Sequence, residues 1–166
     1  MVLSRVHARD NFPLFTNGAV DSSLRVGWNN VYNLKIQPAK DKLNIYKLTW
    51  YYKATDTKIR GAKIFVDHKY YPMDVVIKDN SIVAKAEWSH PLPVTEDGLS
   101  VQLMLDINQS YPSSLVQVYL QNDIVAGDPK DIWEDNIIWS QDNKLANSYL
   151  LPNLPLEPMV LDYNID

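Results

Sequence analysis

The sequence predicts an all-β chain: an antiparallel β-sandwich, Ig-like or jelly-roll-like, of seven or eight strands, with at most one short helix and extended terminal arms. Three observations carry this. Apolar and polar residues alternate at period two in run after run, most clearly where Leu99, Val101, Leu103, Leu105 and Ile107 share one face. Turn residues recur at roughly ten-residue intervals. Helix signals are confined to residues 128–135, where Asp128 stands at an N-cap position and Pro129 follows it.

The 166 residues suit one domain, divided into an N-terminal arm (1–22), a sandwich (23–149) and a Pro-rich extended C-terminal tail (150–166). In the arm, Asn11, Pro13, Asn17, Gly18 and Asp21 punctuate the chain, and Pro13, Leu14 and Phe15 form its apolar cluster. Strands are expected over 23–27 and 31–36, then over 43–53, the stretch around which the rest is organised. Read at every second position, Tyr46, Leu48, Trp50 and Tyr52 make one aromatic face to be buried; Ile45, Lys47, Thr49, Tyr51 and Lys53 make the other. The next strand is 59–66, where Gly61 marks a bulge or a close approach. A hairpin joins 75–78 to 81–88 around Asp79 and Asn80, with Ile82, Ala84, Ala86 and Trp88 inward and Glu87 outward. Residues 68–72 and 90–93 read as connections, and strands 99–107 and 115–121 complete the set. Trp50 and Trp88, in phase with apolar neighbours, are assigned to the core.

The tail is apolar and carries Pro152, Pro155 and Pro158 at three-residue spacing, which suits an extended path. It either folds back over its own sandwich or gives a strand or apolar anchor to a neighbour. Phe15, Leu154, Leu156, Met159, Leu161, Tyr163 and Ile165 are the expected partner-binding residues. Charge is uneven: ten Lys or Arg face four acids in residues 1–60, four face seven in 61–120, and two face nine in 121–166. A basic front and an acidic end attract each other within a monomer or between successive subunits.

Several function classes lose support. With no cysteine there is no disulfide, thiol nucleophile or thiolate metal site. Five glycines form neither a phosphate loop nor a dinucleotide fingerprint. His7, His68 and His90 lie in the arm and in connections, with no catalytic spacing. Asp128, Asp131, Glu134 and Asp135 offer hard oxygen ligands of the kind calcium takes, but Asp128 and Asp131 equally suit a helix N-terminus, and no metal is assigned. Lysines are scattered along strands rather than gathered into a patch, so no nucleic acid is expected. No run resembles a signal peptide or a membrane span; the expectation is a soluble protein made in the cytosol. No cofactor and no enzymatic activity are expected.

What remains is an excess of aromatic residues, five Trp and ten Tyr. The expected function is a non-enzymatic structural or assembly module that binds protein subunits, as a homo- or hetero-oligomer, through its arms and aromatic surface. The alternative is a carbohydrate-binding, lectin-like module in which Trp28, Tyr70, Tyr71, Trp133 and Trp139 stack on a glycan.

Overall fold

The computed structural model describes residues 11–128 and 130–163. In chain order the strands are β1 (Pro13–Asn17), β2 (Gly27–Pro38), β3 (Leu43–Thr55), β4 (Ile59–Val66), β5 (Lys69–Tyr71), β6 (Asp74–Ile77), β7 (Ser81–Lys85), β8 (Leu92–Val94), β9 (Leu99–Ile107), β10 (Leu115–Leu120), β11 (Ile138–Gln141), β12 (Lys144–Asn147) and β13 (Met159–Asp162). They form two antiparallel sheets, as a β-sandwich requires. One sheet has the order β1-β2-β9-β4-β5. The other has β12-β11-β3-β10-β13, with β7 and β8 also paired to β3, and β6 to β7.

β3 organises the larger sheet because its thirteen residues are long enough to take two partners on each edge. One edge carries β11 and β10; the other carries β8 and β7. The core lies between the sheets. Tyr32, Leu34 and Ile36 of β2 and Val101, Leu103, Leu105 and Ile107 of β9 meet Leu48 and Trp50 of β3 and Val116, Val118 and Leu120 of β10. The Tyr32 and Trp50 rings touch edge to face across the gap, 6.3 Å between centroids.

The alternation in β3 contains one change of phase. Leu43 and Ile45 face the core, and so do Leu48 and Trp50. The intervening pair is accommodated by a β-bulge against β11, where Ile138 pairs with Lys47 but Trp139 pairs with Ile45. Tyr46 is the extra residue, and an extra residue turns side chains to the other face. Tyr46 therefore leaves the inner aromatic face that strict alternation predicts, and only Leu48, Trp50 and the partly buried Tyr52 keep that assignment. Gly61 fulfils both of its readings: β4 shifts register between Ile59 and Gly61, and a Cβ there would stand 3.3 Å from the Trp28 ring.

Other expectations change. Residues 23–26 are not a strand, and Gly27 instead opens β2; Ser23 makes an isolated parallel bridge to Asp162. The short helix is a single 3₁₀ turn, Ile132–Glu134, whose N-cap position is Asp131, not Asp128. Among the described residues there are thirteen strands in place of seven or eight, since β1 and β13 form in the arm and the tail, β5 and β8 occupy supposed connections, and β11 and β12 form an unforeseen hairpin. Among the described residues no helix is long and apolar enough to cross a membrane.

The described parts of both terminal segments, residues 11–22 and 150–163, are built into the body, and residues 1–10 of the expected arm lie outside the described residues. β1 pairs with β2 along its whole length, which buries Phe15 completely. β13 adds to β10 of the same chain and buries Leu161, while Leu151 is buried and Leu154, Leu156 and Met159 pack against the core. The two segments also join each other. The Leu24 amide donates to the Asp162 carbonyl (2.7 Å), the Asp162 amide to the Ser22 carbonyl (2.9 Å), and Asn17 Nδ2 to the Glu157 carbonyl (2.8 Å).

Candidate binding face

The outer face of the eight-stranded sheet holds the densest group of solvent-accessible aromatic rings. The bulge turns Tyr46 outward, and two indoles converge on it. Trp88 stacks on Tyr46 at 5.2 Å and 23°; Trp133 stands edge-on to Tyr46 at 6.0 Å and to Trp88 at 5.5 Å. Tyr46 is buried beneath them, whereas Trp88 is 59% exposed and Trp133 38%. Trp88 was expected in the core because the alternation from Ile82 runs on to it. The strand instead ends at Lys85, and a tight turn closes Glu87 onto His90, with the His90 amide donating to the Glu87 carbonyl (2.9 Å). Trp88 sits inside that turn and escapes the strand's alternation.

Trp133 is delivered by the loop after β10, and this loop is fixed by one carboxylate. Asp123 is buried. Its Oδ1 accepts from the Asn136 amide (2.8 Å), and its Oδ2 from the amides of Ile137 (3.0 Å) and Ser148 (3.1 Å). The Ser148 hydroxyl accepts from the Asp123 amide (2.8 Å) and has one hydrogen to give, within reach of Asp123 Oδ2 (2.8 Å) and Asn122 Oδ1 (2.7 Å). Lys47, put outward beside Tyr46, donates from Nζ to the Trp133 carbonyl (3.0 Å) and ties the 3₁₀ turn to the sheet. Burial lowers the Lys47 ammonium below the usual lysine range, and Lys85, directly opposite across the strands, and Lys78 push the same way. Asp135 moves up from the usual carboxylate range, mainly through burial and against a hydrogen bond from Asn147. Asp128 accepts from the Lys130 amide (2.9 Å), a local turn bond.

Farther along the face, outward positions fall into rows across five strands. Val76 of β6 pairs with Val83 of β7, which pairs with Thr49 of β3. Tyr51 of β3 pairs with Tyr119 of β10, their rings 5.8 Å apart, and Val160 of β13 lies opposite Gln117 of β10. Val76, Tyr119 and Val160 are exposed.

The expected stacking residues do not form one site. Trp139 is completely buried: its register opposite Ile45 turns it into the core, where Nε1 donates to the Asn147 carbonyl (2.9 Å), so it offers no ring to a ligand. Tyr71 packs partly against the core. Trp28 and Tyr70 are exposed on the opposite sheet. There Lys63 Nζ lies 3.9 Å from the Trp28 ring centre, and Phe65 meets Tyr70 edge to face at 6.4 Å. Of the predicted set, Trp133 alone lies in the Tyr46–Trp88 cluster. Of the expected partner-binding residues, Phe15 and Leu161 are buried within their own chain, Leu154, Leu156, Met159 and Tyr163 are half-buried, and Ile165 lies outside the described residues. Val76, Trp88, Tyr119 and Val160 were missed. The missed signal for Tyr46 is legible: Leu43 and Ile45 run one residue out of phase with Leu48 and Trp50. No protein-family model matches this chain, and no curated protein matches it significantly.

Proposed function

We propose that this chain is a non-enzymatic assembly module that binds protein subunits through the outer face of its eight-stranded sheet. One observation carries the reading: the exposed apolar residues Val76, Tyr119 and Val160 lie on one face with Tyr51 and Val83, spread over five strands of a rigid sheet. Tyr119 and Tyr51 are of the residue type that anchors interfaces, the valines extend the apolar surface around them, and side chains held on strands keep the ordering cost small. The terminal segments take part through what stays exposed after they dock, Val160 above all. The basic first third and acidic last third of the sequence supply attraction between copies.

The first partner to test is a second copy. Light scattering after size exclusion over a range of concentrations should show a defined oligomer. The double variant Tyr119→Lys, Val160→Lys, which puts two charges on the face and leaves the core alone, should return it to monomer with unchanged circular dichroism. A wild-type chain that is monomeric throughout, or an oligomer indifferent to the double variant, overturns the reading.

A further inference from the structure

A second surface lies at one end of the same sheet and has a different chemistry. Trp88 is braced on one face by Tyr46 and at its edge by Trp133, yet it is more than half exposed. It is thus a flat apolar plate that needs no reorganisation to receive a ligand. The turn carrying it borders an open groove of about 610 Å³, lined by Tyr71, Pro72, Asp74, Lys85, Glu87 and His90. Trp88 stands between two of the groove's residues, Glu87 and His90, whose side chains approach to 3.6 Å. Asp74 and Lys85 face each other across the β6–β7 pair.

The chemistry of this pairing is selective. An indole plate takes a flat patch of C–H groups; the groove beside it offers carboxylates that accept from hydroxyls and an ammonium and imidazole that donate to them. The two carboxylates, Asp74 and Glu87, are interleaved with the Lys85 ammonium and the His90 imidazole, so the groove does not gather charge of one sign to hold a strongly charged ligand. A pyranose with equatorial hydroxyls has both required surfaces: a flat C–H face, and an edge of adjacent hydroxyls that each donate and accept. We propose that the Trp88 plate and this groove bind a neutral sugar chain of equatorial pyranose units. The site adjoins the assembly rows, Asp74 and Lys85 lying two residues from Val76 and Val83 on the same strands, and neither proposal depends on the other.

The test is titration of the full chain with cellohexaose, xylohexaose and mannohexaose to about 5 mM, which detects binding weaker than millimolar. The readout is the five indole N–H resonances in a nitrogen-correlated spectrum, with Trp88 assigned from Trp88→Ala. At least one hexasaccharide should shift the Trp88 resonance saturably. Trp88→Ala should weaken binding at least about tenfold, and Glu87→Ala, which leaves the plate in place, should weaken it severalfold. Unchanged urea midpoints show that both variants fold, and the Glu87 variant decides the matter if the Trp88 variant does not. No saturable shift with any of the three, a shift confined to Trp28, or binding unchanged in both variants overturns the proposal.

Discussion

Replacing Asp123 tests whether one buried carboxylate holds the loop that presents Trp133. In Asp123→Ala the amides of Asn136, Ile137 and Ser148 lose their acceptor. A buried, unsatisfied amide costs about 1–3 kcal/mol, so the three together cost roughly 3–6 kcal/mol after partial relaxation. In the isosteric Asp123→Asn, the amide oxygen can take the Oδ2 position and keep the Ile137 and Ser148 amides. Its NH₂ then faces the Asn136 amide, donor against donor, and the remaining bonds lose their charge assistance, for about 2–4 kcal/mol in all. Against the ~5–15 kcal/mol that holds a typical domain together, either change is large. Urea denaturation should show the midpoint of Asp123→Asn falling by about 1–2 M at an unchanged slope. Amide exchange should quicken first at Asn136, Ile137 and Ser148, while Leu103 in β9 keeps the global rate until unfolding itself dominates. Asp128→Ala, which removes one exposed turn bond, is the control and should cost under about 0.5 kcal/mol. If Asp123→Ala moves the midpoint no more than that control does, the carboxylate does not hold the loop and the reasoning fails.

Other consequences are as direct. Burial pushes the Tyr32 phenol up to about 12; its hydroxyl lies near the Asn17 side chain and the Leu120 backbone without a hydrogen bond of good geometry. Tyr32 is neutral in both states well below pH 10, so stability is level there; between pH 10 and 12 chiefly the unfolded chain ionises, and stability should fall by up to roughly 3 kcal/mol. That alkaline loss should be smaller in Tyr32→Phe, and equal losses in the two proteins would contradict the burial argument. Removing residues from 150 onward strips out buried Leu151 and Leu161 and half-buried Leu154, Leu156 and Met159. At ~1.5–3 kcal/mol per fully buried side chain this approaches the whole stability of a domain, so the truncated chain should lose near-ultraviolet dichroism and cooperative unfolding. A truncated chain that melts like the full one would show that the tail is an accessory. Gly61→Leu should displace the Trp28 ring, which already lies 3.3 Å from where a Cβ would stand. Fluorescence should shift with little loss of stability, and an unperturbed Trp28 signal would refute the contact.

The parts of the fold legible in the sequence are those where alternation runs unbroken. β9 has the expected bounds because its nine residues alternate with no extra residue of their own; the register shifts in both of its pairings fall on β2 and β4. The inner face of β3 was half legible: one inserted residue shifts every later side chain, and a reader holding strict alternation assigns Tyr46 to the wrong side. Trp88 failed for a related reason, since alternation has no meaning once the chain enters a turn. The β11–β12 hairpin carries its own signal in the sequence. Asp142 and Asn143 both adopt positive φ, 51° and 61°, the geometry of a tight two-residue hairpin turn that favours these residue types. The candidate binding face was least legible, because its members come from separate strands and from a loop held by Asp123. Only pairing registers, which depend on distant segments, place Tyr51 beside Tyr119.

The joining of Ser22 and Leu24 to Asp162 sets a condition on synthesis. A ribosome adds about 5–20 residues per second, and domains commonly fold as they emerge. Here the free edge of β10 is paired by a strand made some forty residues later, and the segment before β2 finds its hydrogen-bonding partner only after residue 162 has appeared. The nascent chain therefore exists for seconds as a sandwich with one open edge, the backbone of β10 unpaired there and the core uncovered where Leu151 and Leu161 will pack. In the cell that interval is when chaperones would meet this protein, and mutations in residues 150–163 should be read first for their effect on yield.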